Sequence, residues 1–201
     1  MSLHCPATLI VARHAEAEYS HGDLLSDEGG RLTAHGREQA AQLATRLGEK
    51  RIALVYTSPL ARAVETGRIA ATGLGVGHRE MAGLQEFSVG DLVGEPVDDE
   101  RLTTTYAAWL AGELSHRIPG AESGEEVVTR FREALSAIAD LHRGEHVLVI
   151  SHGGVMSLGL PNVATGGPAG SPPPLANCAS VELSAGDDGW TLGPWAPAEA
   201  T

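Results

Sequence analysis

Leu9-Ile10-Val11-Ala12 runs directly into Arg13-His14, and Val147-Leu148-Val149-Ile150 runs into Ser151-His152-Gly153-Gly154. Both are short apolar runs without polar alternation, the pattern of strands buried on both faces of a parallel sheet. In open α/β sheets, ligands bind at the carboxyl ends of the strands. Two strands that deliver a histidine to that edge predict one site assembled from distant parts of the chain. The arginine beside the first histidine and the glycines after the second point to an anion, above all a phosphate. Guanidinium forks match phosphate oxygens, and glycines let a helix N-terminus come close to them.

Outward from these two stretches, strand and helix patterns alternate. Residues 16–32 are polar and glycine-rich, a loop. Thr33 opens a helix as its N-cap; Ala40, Leu43, Ala44 and Leu47 repeat at helical spacing, and Gly48 stops it. Ile52 to Thr57 reads as a second buried strand, and Ser58-Pro59 as the start of the next helix. Gly73 to Gly77 is a turn before a short extended piece at His78–Met81. Residues 91–122 read as an insertion with a helix from Asp99 to Ala111. Ser123-Gly124-Glu125-Glu126 is a capping box, and Val127, Val128, Phe131, Ala134, Leu135, Ile138 and Leu141 form one apolar stripe behind it. A short helix starts at Gly153–Leu160. Prolines from Pro161 to Pro174 then break the pattern into a mobile loop. Ala179–Ser184 and Trp190–Leu192 read as a hairpin around Asp187-Asp188-Gly189. The alternation predicts an α/β fold: a three-layer sandwich with a mostly parallel central sheet and helices on both faces. It also predicts a single domain, 1–201, with a small cap at about 91–122.

Composition narrows the class of function. The 201 residues carry a net charge of −12, which argues against a nucleic-acid partner, since such a protein shows a basic stripe. An anion site in this chain has to gather its few cations locally. Lys50 is the one lysine among 14 basic residues, and the rest are arginines. The first residues lack a secretion-signal pattern, and no apolar run has the length of a membrane span. Cys5 and Cys178 form neither a metal-spaced pair nor a disulfide framework, and they read as reduced thiols of a cytoplasmic protein. His35, His78, His116, His142 and His146 show no metal-ligand spacing, so neither metal nor cofactor is expected.

Each histidine motif is weak alone. An Arg-His pair at a strand end is commonly a solvated strand end, and Arg62, one turn into its helix, pairs as readily with Glu65. Together with other stretches they resemble the histidine phosphatase superfamily, the phosphoglycerate mutase-like family. The stretches are Arg13-His14-Ala15-Glu16, Leu32-Thr33-Ala34-His35-Gly36-Arg37-Glu38-Gln39-Ala40, Ser58-Pro59-Leu60-Ala61-Arg62-Ala63-Val64-Glu65-Thr66, Leu84-Gln85-Glu86-Phe87, Pro119-Gly120-Ala121-Glu122-Ser123 and Ser151-His152-Gly153-Gly154. They occur in the family's order from about Leu9 to Val181.

The resemblance implies a phosphomonoesterase of the phosphatase branch acting on a small phosphorylated metabolite. His14 is the implied nucleophile, forming a phosphohistidine, and Glu86 the proton donor. Arg13, Arg62, His152, Gly153 and Ser20 are implied around the phosphate. A mutase of the phosphoglycerate type and a catalytically poor phosphate-binding module are the alternatives. The chain departs from the family at Ala15, where glycine is commoner, and at Ser20, where many members place an asparagine on the phosphate. Arg101, Tyr106, Trp109, Arg117 and the loop 17–30 are candidates for contacting the rest of the substrate. Oligomeric state has no signature in the sequence.

Overall fold

The computed structural model describes residues 5–20, 22–168, 170–186 and 189–195. Its strands are β1 (Thr8–Arg13), β2 (Ala17–Glu18), β3 (Arg31–Leu32), β4 (Ile52–Thr57), β5 (Gly77–Glu80), β6 (His146–Ser151), β7 (Ser180–Gly186) and β8 (Gly189–Leu192). Its helices are α1 (Ala34–Leu47), α2 (Ala61–Leu74), α3 (Glu100–Leu110), α4 (Gly124–Leu141) and α5 (Gly153–Val163). Six strands form one sheet in the order β5-β4-β6-β1-β7-β8. The first four are parallel, and the terminal hairpin adds β7 and β8 antiparallel at the edge. Asp187 and Asp188, read as that hairpin's turn, lie outside the described residues.

Strand alternation sends side chains to two separate cores. Leu9, Val11, Val147, Val149, Val181 and Leu183 pack with Phe131, Leu135 and Ile138 of α4. Ile10, Ala12, Val55, Leu148 and Ile150 pack with Leu43 of α1 and Ala63 and Ala70 of α2. This is the three-layer α/β sandwich that uninterrupted apolar strands require. Each fully buried aliphatic side chain contributes about 1.5–3 kcal/mol.

The parallel register builds the site edge. Arg13 of β1 lies opposite Ser151 of β6, and Thr57 of β4 opposite Ile150. The residues that follow, His14, His152 and Ser58, therefore leave the sheet side by side. The expected capping box at Ser123 and Glu126 is present, as is the Thr33 cap. Asp99 caps α3, which ends at Leu110.

Two local expectations are corrected. The helix after β4 begins at Ala61 with Leu60 as its cap, not at Pro59. The Ser58 hydroxyl accepts from Leu60 N at 3.2 Å, so Ser58-Pro59 shapes the turn that precedes the helix. The helix after β6 continues through Pro161 to Val163. A proline in a last turn forfeits one backbone bond, and Asn162 adds one back through its side chain, Nδ2 to Leu158 O at 2.8 Å. No helix among the described residues is long and apolar enough to cross a membrane. Both cysteines are free, Cys5 exposed and Cys178 buried.

Candidate active site

His14 is buried at the end of β1. Its Nδ1 lies 2.7 Å from the carbonyl oxygen of Ala15. A carbonyl only accepts, so Nδ1 carries the ring proton and Nε2 keeps its lone pair. Arg62 Nε donates to that lone pair at 3.1 Å. Burial first, and the Arg62 charge second, push the His14 pKa down to about 3. The imidazole is therefore a neutral base at physiological pH, with one nitrogen tied back and the other presented.

The second histidine is wholly buried, its ring centroid 5.2 Å from that of His14. Its Nε2 lies 2.7 Å from the Ser58 hydroxyl. Burial, helped by Arg62 and His14, holds His152 well below the usual imidazole range. Arg13 donates from Nη1 to Leu175 O at 2.7 Å. Among the described residues, the two buried side-chain nitrogens without a hydrogen-bond partner are Arg13 Nε and His152 Nδ1. An unmet buried polar group costs about 1–3 kcal/mol. Two of them in one cluster mark a place where an acceptor-rich ligand is expected.

Glu86 occupies the start of α5. Its Oε2 accepts from Gly154 N at 2.9 Å, and its Oε1 from Val155 N at 2.7 Å and Phe87 N at 3.2 Å. The helix N-terminus expected to face a phosphate is thus capped by a carboxylate. Desolvation raises the Glu86 pKa; these backbone bonds and the Arg62 charge oppose the rise without cancelling it. Oε1 is engaged twice and Oε2 once, which leaves Oε2 the open position for a proton. The glycine pair is explained by close approach. A Cβ on Gly153 would stand 3.3 Å from Arg13 Nε, and one on Gly154 would stand 2.8 Å from Glu86 Oε1.

A cavity of about 350 Å³ opens over this cluster. Arg13, His14, Arg62, Glu86 and Gly153 line it, together with Tyr106 and Leu110 of α3 and Pro172, Pro174 and Leu175 of the proline-rich segment. His152 lies directly beneath. Ser20 is exposed and does not line this cavity, whereas Tyr19 does, with Arg62 Cζ 5.6 Å from its ring centroid. Of the other candidates, only Tyr106 faces the cavity. Trp109 is core, Arg101 is paired with Asp99 and Glu95, and Arg117 with Glu126. No group of three or more His, Cys, Asp and Glu among the described residues has the geometry to hold a metal ion.

Sequence reasoning missed the supports. Thr66 Oγ1 accepts from Ala15 N at 3.1 Å, and Asn177 Nδ2 donates to His14 O at 2.9 Å, so the backbone at His14 and Ala15 is held by two distant side chains. Arg130 of α4 donates to Gly83 O at 2.9 Å and Gln85 O at 2.8 Å, which fixes the loop that carries Glu86. Ser151 Oγ donates to Leu84 O in the same loop at 2.8 Å. None of these contacts follows a helical or strand period, so no pattern announced them.

Known proteins share this arrangement of chain. Residues 9–196 match the profile of the histidine phosphatase superfamily (branch 1). The chain is 32% identical over 197 residues to a metal-independent phosphoserine phosphatase of Arabidopsis thaliana, covering 93% of this chain and 80% of that protein. It is 33% identical over 159 residues to phosphoglycerate mutase-like protein 4 of the same plant, covering 75% and 68%. A mycobacterial glucosyl-3-phosphoglycerate phosphatase shares the fold, with a TM-score of 0.77 at 22% identity over 96% of this chain and 100% of that one. With the profile spanning nearly its whole length, the chain belongs to branch 1 of the histidine phosphatase superfamily.

Proposed function

We propose that this chain hydrolyses phosphate monoesters of small metabolites through a phosphohistidine on His14, within a single domain capped by residues 91–122. One observation carries the reading: a buried neutral imidazole whose Nδ1 proton is fixed on Ala15 O and whose Nε2 lone pair meets Arg62. In the first step Nε2 attacks phosphorus and the phosphorus–oxygen bond to the alcohol breaks. Glu86 Oε2 gives its proton to the departing oxygen. Arg13, Arg62, His152 and the Gly153 amide hold the equatorial oxygens, on which charge accumulates. In the second step Glu86 takes a proton from water as the water oxygen attacks phosphorus, the phosphorus–nitrogen bond breaks and returns its electron pair to Nε2, and inorganic phosphate leaves. Relatives with phosphatase names support hydrolysis, and a cytoplasmic location fits the unbridged cysteines.

The mutase-like relative keeps transfer in view as an alternative. A mutase has to shield its phosphohistidine from water while the substrate reorients. The cover here is one eleven-residue helix, α3, and the turn at 172–175. The test is one preparation assayed twice, in EDTA. p-Nitrophenyl phosphate should release inorganic phosphate undiminished by chelation, and 2- and 3-phosphoglycerate should interconvert little. Mutase turnover above every hydrolysis rate would overturn the phosphatase reading. Loss in EDTA restored by a metal would overturn the metal-free mechanism.

The acid role of Glu86 has its own signature. Glu86→Gln should lower kcat/KM by roughly 10²–10³ on an alkyl phosphate, but far less on p-nitrophenyl phosphate, whose phenolate leaves without a proton. The sign of the pH dependence follows from the raised pKa. Glu86 holds its proton above the ordinary carboxylate range, so wild-type activity on the alkyl ester falls as pH rises through that raised value. The variant should lack this limb. Equal losses on both esters would remove Glu86 from the leaving-group step.

A further inference from the structure

Glu86 is the meeting point of three cavities. Besides the one over His14, a space of about 520 Å³ is lined by Glu86, Gln85, Arg117, Glu122 and Glu126. Another of about 230 Å³ is lined by Glu86, Asp27, Arg62 and Ser88. The alcohol of a bound monoester has to leave phosphorus beside Glu86, so the body of the substrate extends into one of these spaces. Their charges decide what that body can carry.

Over His14, the cationic side chains lining the wall among the described residues are Arg13 and Arg62. Two guanidinium groups balance one phosphate dianion and leave no positive charge for a second anion. In the largest space Arg117 is committed: it donates to Ala121 O at 2.7 Å and pairs with Glu126 at 2.8 Å. Glu122 is held by Arg130. That wall carries three carboxylates, Glu86, Glu122 and Glu126, against one arginine. In the smallest space Asp27 takes Ser88 Oγ and Val89 N, and brings a carboxylate opposite the shared Arg62. Among the described residues, a carboxylate on the alcohol would meet no uncommitted cation in any of the three spaces, since Arg13 and Arg62 face the phosphate and Arg117 is paired with Glu126. Desolvation without a partner penalises it. Apart from Gly154 and the Ser157 hydroxyl, the remaining wall over His14 is apolar and aromatic: Tyr19, Tyr106, Leu110, Pro172, Pro174 and Leu175.

We infer that the site selects phosphomonoesters whose alcohol bears no anionic group and presents an apolar, ring-sized body. This rests on the phosphatase reading and narrows it. It also separates this chain from relatives named for substrates, phosphoserine and glucosyl-3-phosphoglycerate, that carry a carboxylate.

The test uses matched pairs on the wild-type protein. Phenyl phosphate is compared with 4-carboxyphenyl phosphate, and phosphoethanolamine with phosphoserine; within each pair one carboxylate is the difference. The carboxylated phenol is no worse a leaving group, so a preference for phenyl phosphate reports binding rather than intrinsic reactivity. The expected result is a kcat/KM at least tenfold higher for the ester without the carboxylate in both pairs, and higher for benzyl phosphate, a ring-bearing alkyl ester, than for phosphoethanolamine. A carboxylated ester turned over as well as its partner, in either pair, overturns the inference. So does phosphoethanolamine outpacing benzyl phosphate. Failure to hydrolyse p-nitrophenyl phosphate in the same preparation would instead sink the parent phosphatase reading.

Discussion

His14→Ala should abolish turnover while the protein stays folded. The loss expected on removing a covalent nucleophile is about 10⁴–10⁶-fold in kcat. The geometry offers no substitute. His152, the other histidine of the cluster, is buried with its Nε2 on the Ser58 hydroxyl, and the remaining groups near phosphorus are guanidinium ions and a carboxyl. The fold has little stake in the ring, because the strand is held by backbone pairing to β6 and β7 on both sides. Quenching wild-type protein during turnover of a ³²P-labelled ester should trap an acid-labile, base-stable phosphoprotein, and the variant should trap none. Retention of more than a tenth of the wild-type rate would remove His14 from the chemistry.

The second large effect belongs to Arg62→Ala, with an expected loss of roughly 10²–10³ in kcat/KM carried partly by kcat. Arg62 touches the attacking nitrogen directly, so it acts on two quantities at once. It stabilises charge on the transferring group, and it is the second cause of the depressed His14 pKa. A neutral residue in its place stabilises imidazolium relative to imidazole, so the His14 pKa rises from about 3 toward its ordinary value. Burial, the larger cause, remains, so the rise is partial. The acid limb of the pH profile, where activity grows as His14 loses its proton, should therefore move to higher pH in the variant. A helix residue paired only with Glu65 would leave that limb in place. In this structure Glu65 is taken by Arg37.

What the sequence made legible and what it hid divide along a physical line. The strand ends at His14 and His152 were readable because a doubly buried strand has an unmistakable composition and its polar terminus has only one place to go. The register that sets Arg13 opposite Ser151 follows from pairing the two apolar runs. Helix α3 was found almost to the residue because Asp99 caps it. Hidden were Asn177, Arg130 and Ser58, whose partners lie far away in sequence and obey no period. Glu86 became visible only through family resemblance, because one carboxylate in a loop looks like any other. Pro161 misled because a proline's cost depends on how much helix follows it, and here only one further turn was at stake.

Strand β1 sits between β6 and β7, and the segment just before β7 supplies the contacts from Leu175 O and Asn177 that hold Arg13 and His14. His14 is therefore held in place by a residue 163 positions further along the chain. During synthesis one edge of β1 stays unpaired until β6 emerges and the other until β7 does, on the order of ten seconds later at typical elongation rates. Through that interval an apolar strand with at least one open edge is the most vulnerable part of the nascent chain. Ribosome-stalled chains that end before β7 should be catalytically silent and dependent on chaperones for solubility, whereas released chains that include β7 should be active.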